Sequence, residues 1–582
     1  MILVFGGTTE GRKATEVLEE AGSFYYYSTK TGEQNLVLHN GIRIDGTLDT
    51  AAMLSFCSLH HIRLIVDAAH PFATQLHQAI ADVASQITIP VVRYERIYPA
   101  LDSDITLIDN YSQIPANIHS LLATTGVQSI SKLKPLEAKG IKVYYRILPR
   151  ESSIALAHQQ GATDNQLCYF KDGDTIEADA EAILLKESGE SGGYSAKVAV
   201  ARKKGMRIIV LKRPTLPKAS VTVNGPYGLR RAVEHLLPDF FPLHSGLTTG
   251  TCATAAAVAA AIRLIKGETP AEVPVILPDG ETIQVGVTYG VDYASCTKEA
   301  GDDPDITNGI EVRASVAEGD FEILGGEGVG RITLPGFDYP PGSPAINKAP
   351  REMIRQNLVQ FDKPLKITIS VPNGAEIAPR TFNPRLGIEG GISIIGVSGI
   401  VKPFSEEAFI SSIRKCMQIA KASGTNRVVI NSGGKSERFV KALYPNLPQQ
   451  AFVEYGNYIG ETLKTAHQLS IPNITLGVML GKAVKLAAGH LDTHSKRATM
   501  DKDFIAEMLK EADADADIDI SHITLAREIW EKLEDKERFA DVVIAHCREH
   551  CAPLLPDGNL TILLIADDGT ILPQSPEHQP VQ

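Results

Sequence analysis

The sequence predicts a multidomain protein: a doubly wound, Rossmann-like α/β region of two subdomains, then an α+β region, then a second α/β region. Three observations carry this. At 582 residues the chain exceeds what one hydrophobic core usually supports. Up to about residue 240, short apolar runs alternate with helical segments, the pattern of a parallel sheet covered on both faces. Past a proline-rich stretch from Pro214 to Leu243 the pattern changes to closely spaced strands and tight turns, and from Ser405 it reverts to strand and helix.

In chain order, ILVF (2–5), LIVDAA (64–69), YYRILP (144–149) and RIIVLKRP (207–214) read as buried strands of residues 1–240, with subdomains at about 1–115 and 116–240. LRRAVEHLL (229–237) reads as a helix within the connection. In the α+β region, 243–404, VPVILPDGETIQVGV (273–287) reads as a hairpin about Asp279-Gly280, and IEVRASVAEGDFEIL (310–324) as another strand pair. In the C-terminal region, 405–582, SEEAFISSIRKCMQIAKA is an amphipathic helix opened by a serine and followed by the strand RVVI.

Composition bounds the function. A net charge of −12 argues against general nucleic-acid binding, which needs a clustered basic face. No apolar run approaches the ~20 residues of a membrane span, and Met1 leads straight into a strand without a basic-then-apolar leader, so a cytoplasmic location is expected. Seven cysteines without a CxxC pair suit reduced thiols.

Three loops in the first half stand where strands should end. In ILVFGGTTEGR, Gly6 and Gly7 allow a sharp turn, Thr8 or Thr9 can cap the helix, and Gly11 permits close approach, so the loop suits either a dinucleotide diphosphate or a structural turn. Glu10 is awkward beside a phosphate and better placed to meet a sugar or the backbone. After FYYYSTK the acid that would hold a ribose diol is missing; Ser28, Thr29 and Lys30 stand there instead and would tolerate a 2′-phosphate. In VDAAHPFA, His70 either donates a proton or binds a carboxylate, or fixes the turn before Pro71. In LLKESGESGGYSAK, Lys186, Ser188, Gly192, Gly193 and Lys197 would suit an anion.

These segments, with TTGV (124–127) and YYRILP, resemble the precorrin-6A reductase family in order across residues 1 to about 240. Ala69 departs from that family's DATHPFA motif, and Lys212-Arg213-Pro214 fills its RRP position. The resemblance implies hydride reduction of one double bond of a cobalt-precorrin-6A macrocycle by NAD(P)H, the protein holding the nicotinamide and supplying a proton.

The second half opens with SGLTTGTCATAAA (245–257), a hydroxyl- and glycine-rich loop feeding an alanine-rich helix. There Cys252 is either a thiolate favoured by the helix dipole or a packed residue. Glycine-dense segments follow at 298–309, 325–336, 343–351, 381–403 and 481–495. With AGDDPD, GGEGVGR, PAIN, FNPRLGI and THS in order, the region 245–565 resembles the cobalt-precorrin-5B C1-methyltransferase family. That resemblance implies S-adenosyl-L-methionine as methyl donor and a ring carbon as nucleophile, so Cys252 need not react. Asn431, Ser432, Gly433 and Gly434, a strand-to-helix turn, are the preferred donor site, with GGEGVG (325–330) as the other candidate.

Polycarboxylate substrates predict clamps among Arg146, Lys186, Ser188, Lys197, Thr249, Thr251, Arg331, Arg351 and Arg385. No metal site of the protein's own is expected: DDPD (302–305) reads as a capped turn, AHCREHC (545–551) gives at most a partial zinc site, and the substrate carries the cobalt. The expected partners are cobalt-precorrins, with neither nucleic acid nor membrane; a homo-oligomer is left open. A non-catalytic corrinoid-binding protein is the alternative. A reductase joined to a kinase would want a GxxxxGK[ST] loop, which the sequence lacks.

Overall fold

Every residue of Ile2–Phe5 is buried because this strand, β1, is covered on both faces: Ile2 and Val4 enter one apolar cluster, Leu3 and Phe5 another. The computed structural model describes residues 1–573 except 31, 33, 35, 170–177, 496, 514–517, 519, 521 and 524. The chain divides into two compact units. Residues 1–245 and 274–285 form unit 1; residues 246–273 and 286–582 form unit 2.

Unit 1 contains two six-stranded parallel sheets. The first comprises β1, β2 (Tyr25–Thr29), β3 (Gly41–Asp45), β4 (Leu64–Asp67), β5 (Val91–Tyr94) and β12 (Val221–Val223), in the order β12-β5-β4-β1-β2-β3. The second comprises β6 (Ile105–Ile108), β7 (Ser120–Ala123), β8 (Lys142–Ile147), β9 (Leu167–Tyr169), β10 (Ala182–Lys186) and β11 (Arg207–Leu211), in the order β6-β11-β10-β7-β8-β9. The subdomain boundary expected at 115/116 is therefore corrected. Each sheet takes its last edge strand from the other's stretch of sequence: β6 pairs β11, and β12 returns to β5. Both are short, and short edge strands carry too few residues to show which sheet they join.

The hairpin about Asp279-Gly280 forms, with Gly280 at φ +87°, but its residues 274–285 belong to unit 1, so the break near residue 240 is not a clean division. Glu281, 1% exposed, accepts N–H bonds from Tyr227 (3.0 Å) and Gly228 at the start of the helix Pro226–Leu236. A Cβ on Gly225 would lie 2.3 Å from that carboxyl group, so a glycine is needed there.

Within unit 2 the helix Thr249–Lys266, buried throughout from Thr249 to Ala261, packs on a mixed five-stranded sheet. The expected strand pair at 310–324 is corrected: Glu311–Glu318 and Glu322–Gly325 do not pair with each other, because Leu365–Ser370 lies between them, antiparallel to the first and parallel to the second. The serine-opened helix runs Glu406–Ala422, with Ser405 Oγ accepting the Ala408 N–H at 3.2 Å. The C-terminal sheet comprises β13 (Arg427–Asn431), β14 (Phe452–Glu454), β15 (Asn473–Met479), β16 (Asn559–Ile565) and β17 (Ile571–Leu572). Its order is β14-β13-β15-β16-β17, parallel except for β17. Cys547 and Cys551 lie in its core, where burial pushes the Cys551 thiol up to about 12 and the Cys547 thiol well above its usual range. Among the described residues, no helix is long and apolar enough to cross a membrane.

Candidate functional sites

In unit 1 the carboxyl ends of β1, β4, β5 and β10 bring the expected loops together. Gly7, at φ +81°, is the residue of the first loop whose missing Cβ leaves open space; its N–H donates to Tyr27 Oη at 3.0 Å. Gly6 and Gly11 serve packing: a Cβ on Gly6 would sit 2.2 Å from Tyr27 Oη, and one on Gly11 would sit 2.7 Å from Gly6 Cα. Thr8 is the cap, accepting the Gly11 N–H at 2.9 Å and donating to the Ala68 carbonyl at 2.6 Å, while Thr9 begins the helix Thr9–Glu19.

Glu10 is not available to a ligand. It is 3% exposed and taken up by Arg96, whose Nε lies 3.0 Å from Oε2 and whose Nη1 donates to the Ser188 carbonyl at 2.7 Å. Arg96, absent from the sequence-based candidates, thus joins the first and third loops. Ser28 is buried, and its carbonyl accepts the Gly6 N–H at 3.0 Å; Lys30 is exposed just past the end of β2. Ser188, 8% exposed, packs against Gly192, where a Cβ would meet its Oγ at 2.3 Å.

His70 Nδ1 accepts the Phe72 N–H at 3.2 Å, which leaves Nε2 with the proton of the neutral ring. Burial, with Arg96, Lys186, His77 and Lys197 nearby, lowers its pKa to about 4. The histidine is therefore neutral near pH 7, with its Nε2–H free to hydrogen-bond. Its loop is held from below: the buried His77 ring meets Asp67 Oδ2 at 2.7 Å and the His70 carbonyl at 3.1 Å, and Arg93 Nη2 reaches the same Asp67 oxygen at 3.2 Å. Burial also lowers the pKa of Lys186, which lies 4.8 Å from the Phe72 ring, and of Lys197, the latter to about 8. Lys197 and Arg146 line an open cavity of about 230 Å³ with Thr124, Gly126, Leu148 and Ser153.

In unit 2 the hydroxyls of Thr249 and Thr251 are engaged within the protein. Thr249 Oγ1 accepts the Ile395 N–H at 2.9 Å, and Thr251 Oγ1 donates to the Gly399 carbonyl at 2.5 Å; both are buried, stitching the helix start to the 393–399 segment. Cys252 is fully buried beside them. Arg331 reaches the Gly342 carbonyl at 3.1 Å, and Arg351 lies 4.5 Å from the Tyr339 ring. Asp305 holds Lys298 at 2.6 Å and the Thr307 N–H at 2.7 Å, which makes DDPD a capped turn.

The carboxyl ends of β13, β14 and β15 form the second site. Asn431, fully buried, supports the turn from behind: its Oδ1 accepts the Gly433 N–H at 3.0 Å. The Ser432 N–H donates to Ser436 Oγ at 2.9 Å. Gly433 sits at φ +142°, and a Cβ on Gly434 would meet nothing within 4 Å. Arg385, from the FNPRLGI segment, pairs with Glu437 at 2.7 Å and so joins that segment to the NSGG turn. Glu454 and Lys482, missed from sequence, flank the turn. Burial raises the pKa of Glu454; burial also lowers that of Lys482, to about 8, and Lys482 donates to the Gly456 carbonyl and to Asn457 Oδ1 at 2.9 Å.

Residues 239–403 match the family model CbiD and residues 492–576 the model CbiD, C-terminal domain. A cobalt-precorrin-5B C(1)-methyltransferase of Prosthecochloris aestuarii is 40% identical over 57% of this chain and 96% of its own. The chain belongs to the cobalt-precorrin-5B C(1)-methyltransferase family. Ahead of that part, residues 1–229 match the family model Precorrin-6x reductase CbiJ/CobK. Among solved structures, a cobalamin biosynthesis protein of Archaeoglobus fulgidus is 31% identical, covering 44% of this chain and 83% of its own with a TM-score of 0.26. A CobK precorrin-6A reductase is 18% identical, covering 40% and 96% with a TM-score of 0.34. This member of the methyltransferase family thus carries a reductase-like region in front of it.

Proposed function

We propose that the chain is a bifunctional enzyme of cobalamin biosynthesis. Unit 2 methylates C1 of cobalt-precorrin-5B with S-adenosyl-L-methionine, and the sheets of unit 1 reduce the resulting cobalt-precorrin-6A with NAD(P)H. The observation that carries this is the presence in one chain of a match to each family, the product of one being the substrate of the other.

The residues of unit 1 fit a dinucleotide at the first loop: Gly7 offers bare backbone to open space at the carboxyl end of β1, beside a helix start. The bound cofactor supplies hydride. Neutral His70 offers its Nε2–H to a substrate carboxylate or carbonyl, and Arg146 and Lys197 carry positive charge to the cavity for a polycarboxylate ring. Lys197 is the better general acid, since its pKa of about 8 lies nearer neutrality than that of His70.

In unit 2 the NSGG turn fits an adenosyl ligand, with Gly434 leaving room above its backbone. The donor supplies the methyl group; the chain aligns the two reactants and excludes water, and buried Cys252 has no part in transfer. Assaying the purified chain for conversion of each cobalt-precorrin, with each cofactor supplied or omitted, tests this reading. Tight corrinoid binding with neither S-adenosylhomocysteine formation nor NAD(P)H consumption would establish the non-catalytic alternative.

A further inference from the structure

The C-terminal sheet of unit 2 changes direction at one place. The chain leaves β13 for β14 on one side and then crosses to β15 on the other, so the crevice for a ligand lies at the carboxyl ends of β13 and β15. Both lips of that crevice are bare backbone. A Cβ added to Gly434 after β13, or to Gly481 after β15, would meet no atom within 4 Å.

Glu454 ends β14 beside this crevice. Its Oε1 lies 3.2 Å from where a Gly433 Cβ would stand, so the carboxylate overlies the turn. Half-buried, it has no hydrogen-bond or ion-pair partner among the described residues. The neighbouring cations are engaged elsewhere: Arg385 with Glu437 at 2.7 Å, Lys482 with the Gly456 carbonyl and Asn457. A carboxylate is an acceptor only, and removing one from water without a donor is costly. What this one lacks is a pair of neutral O–H donors spaced for its two oxygens, which a vicinal diol provides.

We propose that Glu454 accepts both ribose hydroxyls of a purine nucleoside lying across Gly434 and Gly481, and that this nucleoside is the adenosyl part of the methyl donor. The inference rests on the methyltransferase reading and adds the residue that selects a ribose. The acid stands at the end of the neighbouring strand, some twenty residues beyond the glycine turn, the position at which the first half of the chain lacks one.

The test uses calorimetric titration of the full chain with S-adenosylhomocysteine and with its 2′,3′-dideoxy analogue, for the wild type, Glu454→Gln and Glu454→Asp. The wild type is expected to prefer the diol by roughly 10- to 100-fold, the range for hydrogen bonds to a charged group. Glu454→Gln loses that factor for S-adenosylhomocysteine and leaves the dideoxy affinity unchanged. Glu454→Asp, which keeps the charge on a shorter stem, falls between, and serves alone if the glutamine variant does not fold. Equal losses for both ligands, or none for either, would overturn the proposal, leaving the methyltransferase reading intact if the wild type still methylates cobalt-precorrin-5B. A wild type that binds neither ligand and forms no methylated product would overturn both.

Discussion

Arg96 holds the Glu10 carboxylate at 3.0 Å, and the pair is shielded almost completely, the two side chains being 6% and 4% exposed. Its other contact, to the Ser188 carbonyl, links a loop of one sheet to a loop of the other. Removing one partner of such a pair leaves a buried charge uncompensated, so Arg96→Leu is expected to cost unit 1 about 3–5 kcal/mol. Glu10→Gln combined with Arg96→Leu should recover part of that loss. Urea unfolding followed in the full chain measures both; a single Arg96 variant within ~1 kcal/mol of wild type would remove the pair's structural role.

The glycines of the first loop are expected to separate by mutation. Gly7→Val should fold with a modest loss from its positive φ and weaken NADH and NADPH alike by roughly 10-fold or more. Gly6→Val should instead damage the fold, through Tyr27. Lys30→Ala, on an exposed side chain, should weaken NADPH selectively. Fluorescence titration of each nucleotide, beside a thermal melt, distinguishes the three.

Glu281 ties stability to pH. Burial raises its pKa to about 7 against the usual carboxylate value, although the Tyr227 and Gly228 N–H groups favour its charged form. A raised folded-state pKa means that its contribution is fully present below about 4.5, the unfolded value, and is lost as pH rises through about 7. Glu281→Gln should therefore stabilise unit 1 by about 1–3 kcal/mol at pH 8 and by little at pH 4.5. Thermal melts of both proteins across that range check the sign; a gain that grows toward low pH would contradict it.

Proton supply in the reductase site is expected to follow Lys197. With His70 neutral above about 4, no ionisation of that ring should appear between pH 5 and 8; kcat/KM for reduction should fall as pH rises through about 8. Lys197→Met should abolish the alkaline limb and reduce the rate by roughly 100-fold. A limb that survives in this variant would assign it to another group.

Cys252→Ser should retain most methyl transfer while losing about 1–3 kcal/mol of stability, since a hydroxyl replaces a fully buried thiol. Gly433→Val should block donor binding, because its φ of +142° strains any side chain and its Cβ would crowd the Glu454 carboxylate at 3.2 Å. A folded Cys252→Ser protein that binds the donor and yet loses transfer by orders of magnitude would restore a covalent role to the thiol.

Much of the architecture was legible because doubly covered strands such as ILVF, and VVI at 428–430, are apolar at every position, and glycine turns mark where they end. The exchange of β6 and β12, and the hairpin that joins unit 1, were not, because pairing across a hundred residues leaves no local period. At the sites, loops were legible and partners were not. Thr249, Thr251 and Asn431 were read as ligand contacts because hydroxyls and amides in glycine-rich turns suit ligands; in the structure their side chains bond buried backbone. Arg96 and Lys482 escaped because each becomes informative only beside a distant residue.

The most direct test is an anaerobic incubation of the purified chain with cobalt-precorrin-5B, with products followed by mass. With S-adenosyl-L-methionine alone the account predicts a product heavier by one methylene unit, a methyl replacing a hydrogen. With NAD(P)H added, it predicts a further gain of two hydrogens and consumption of one equivalent of the nicotinamide. Unchanged substrate under both conditions would contradict the account, and methylation without reduction would contradict its N-terminal half.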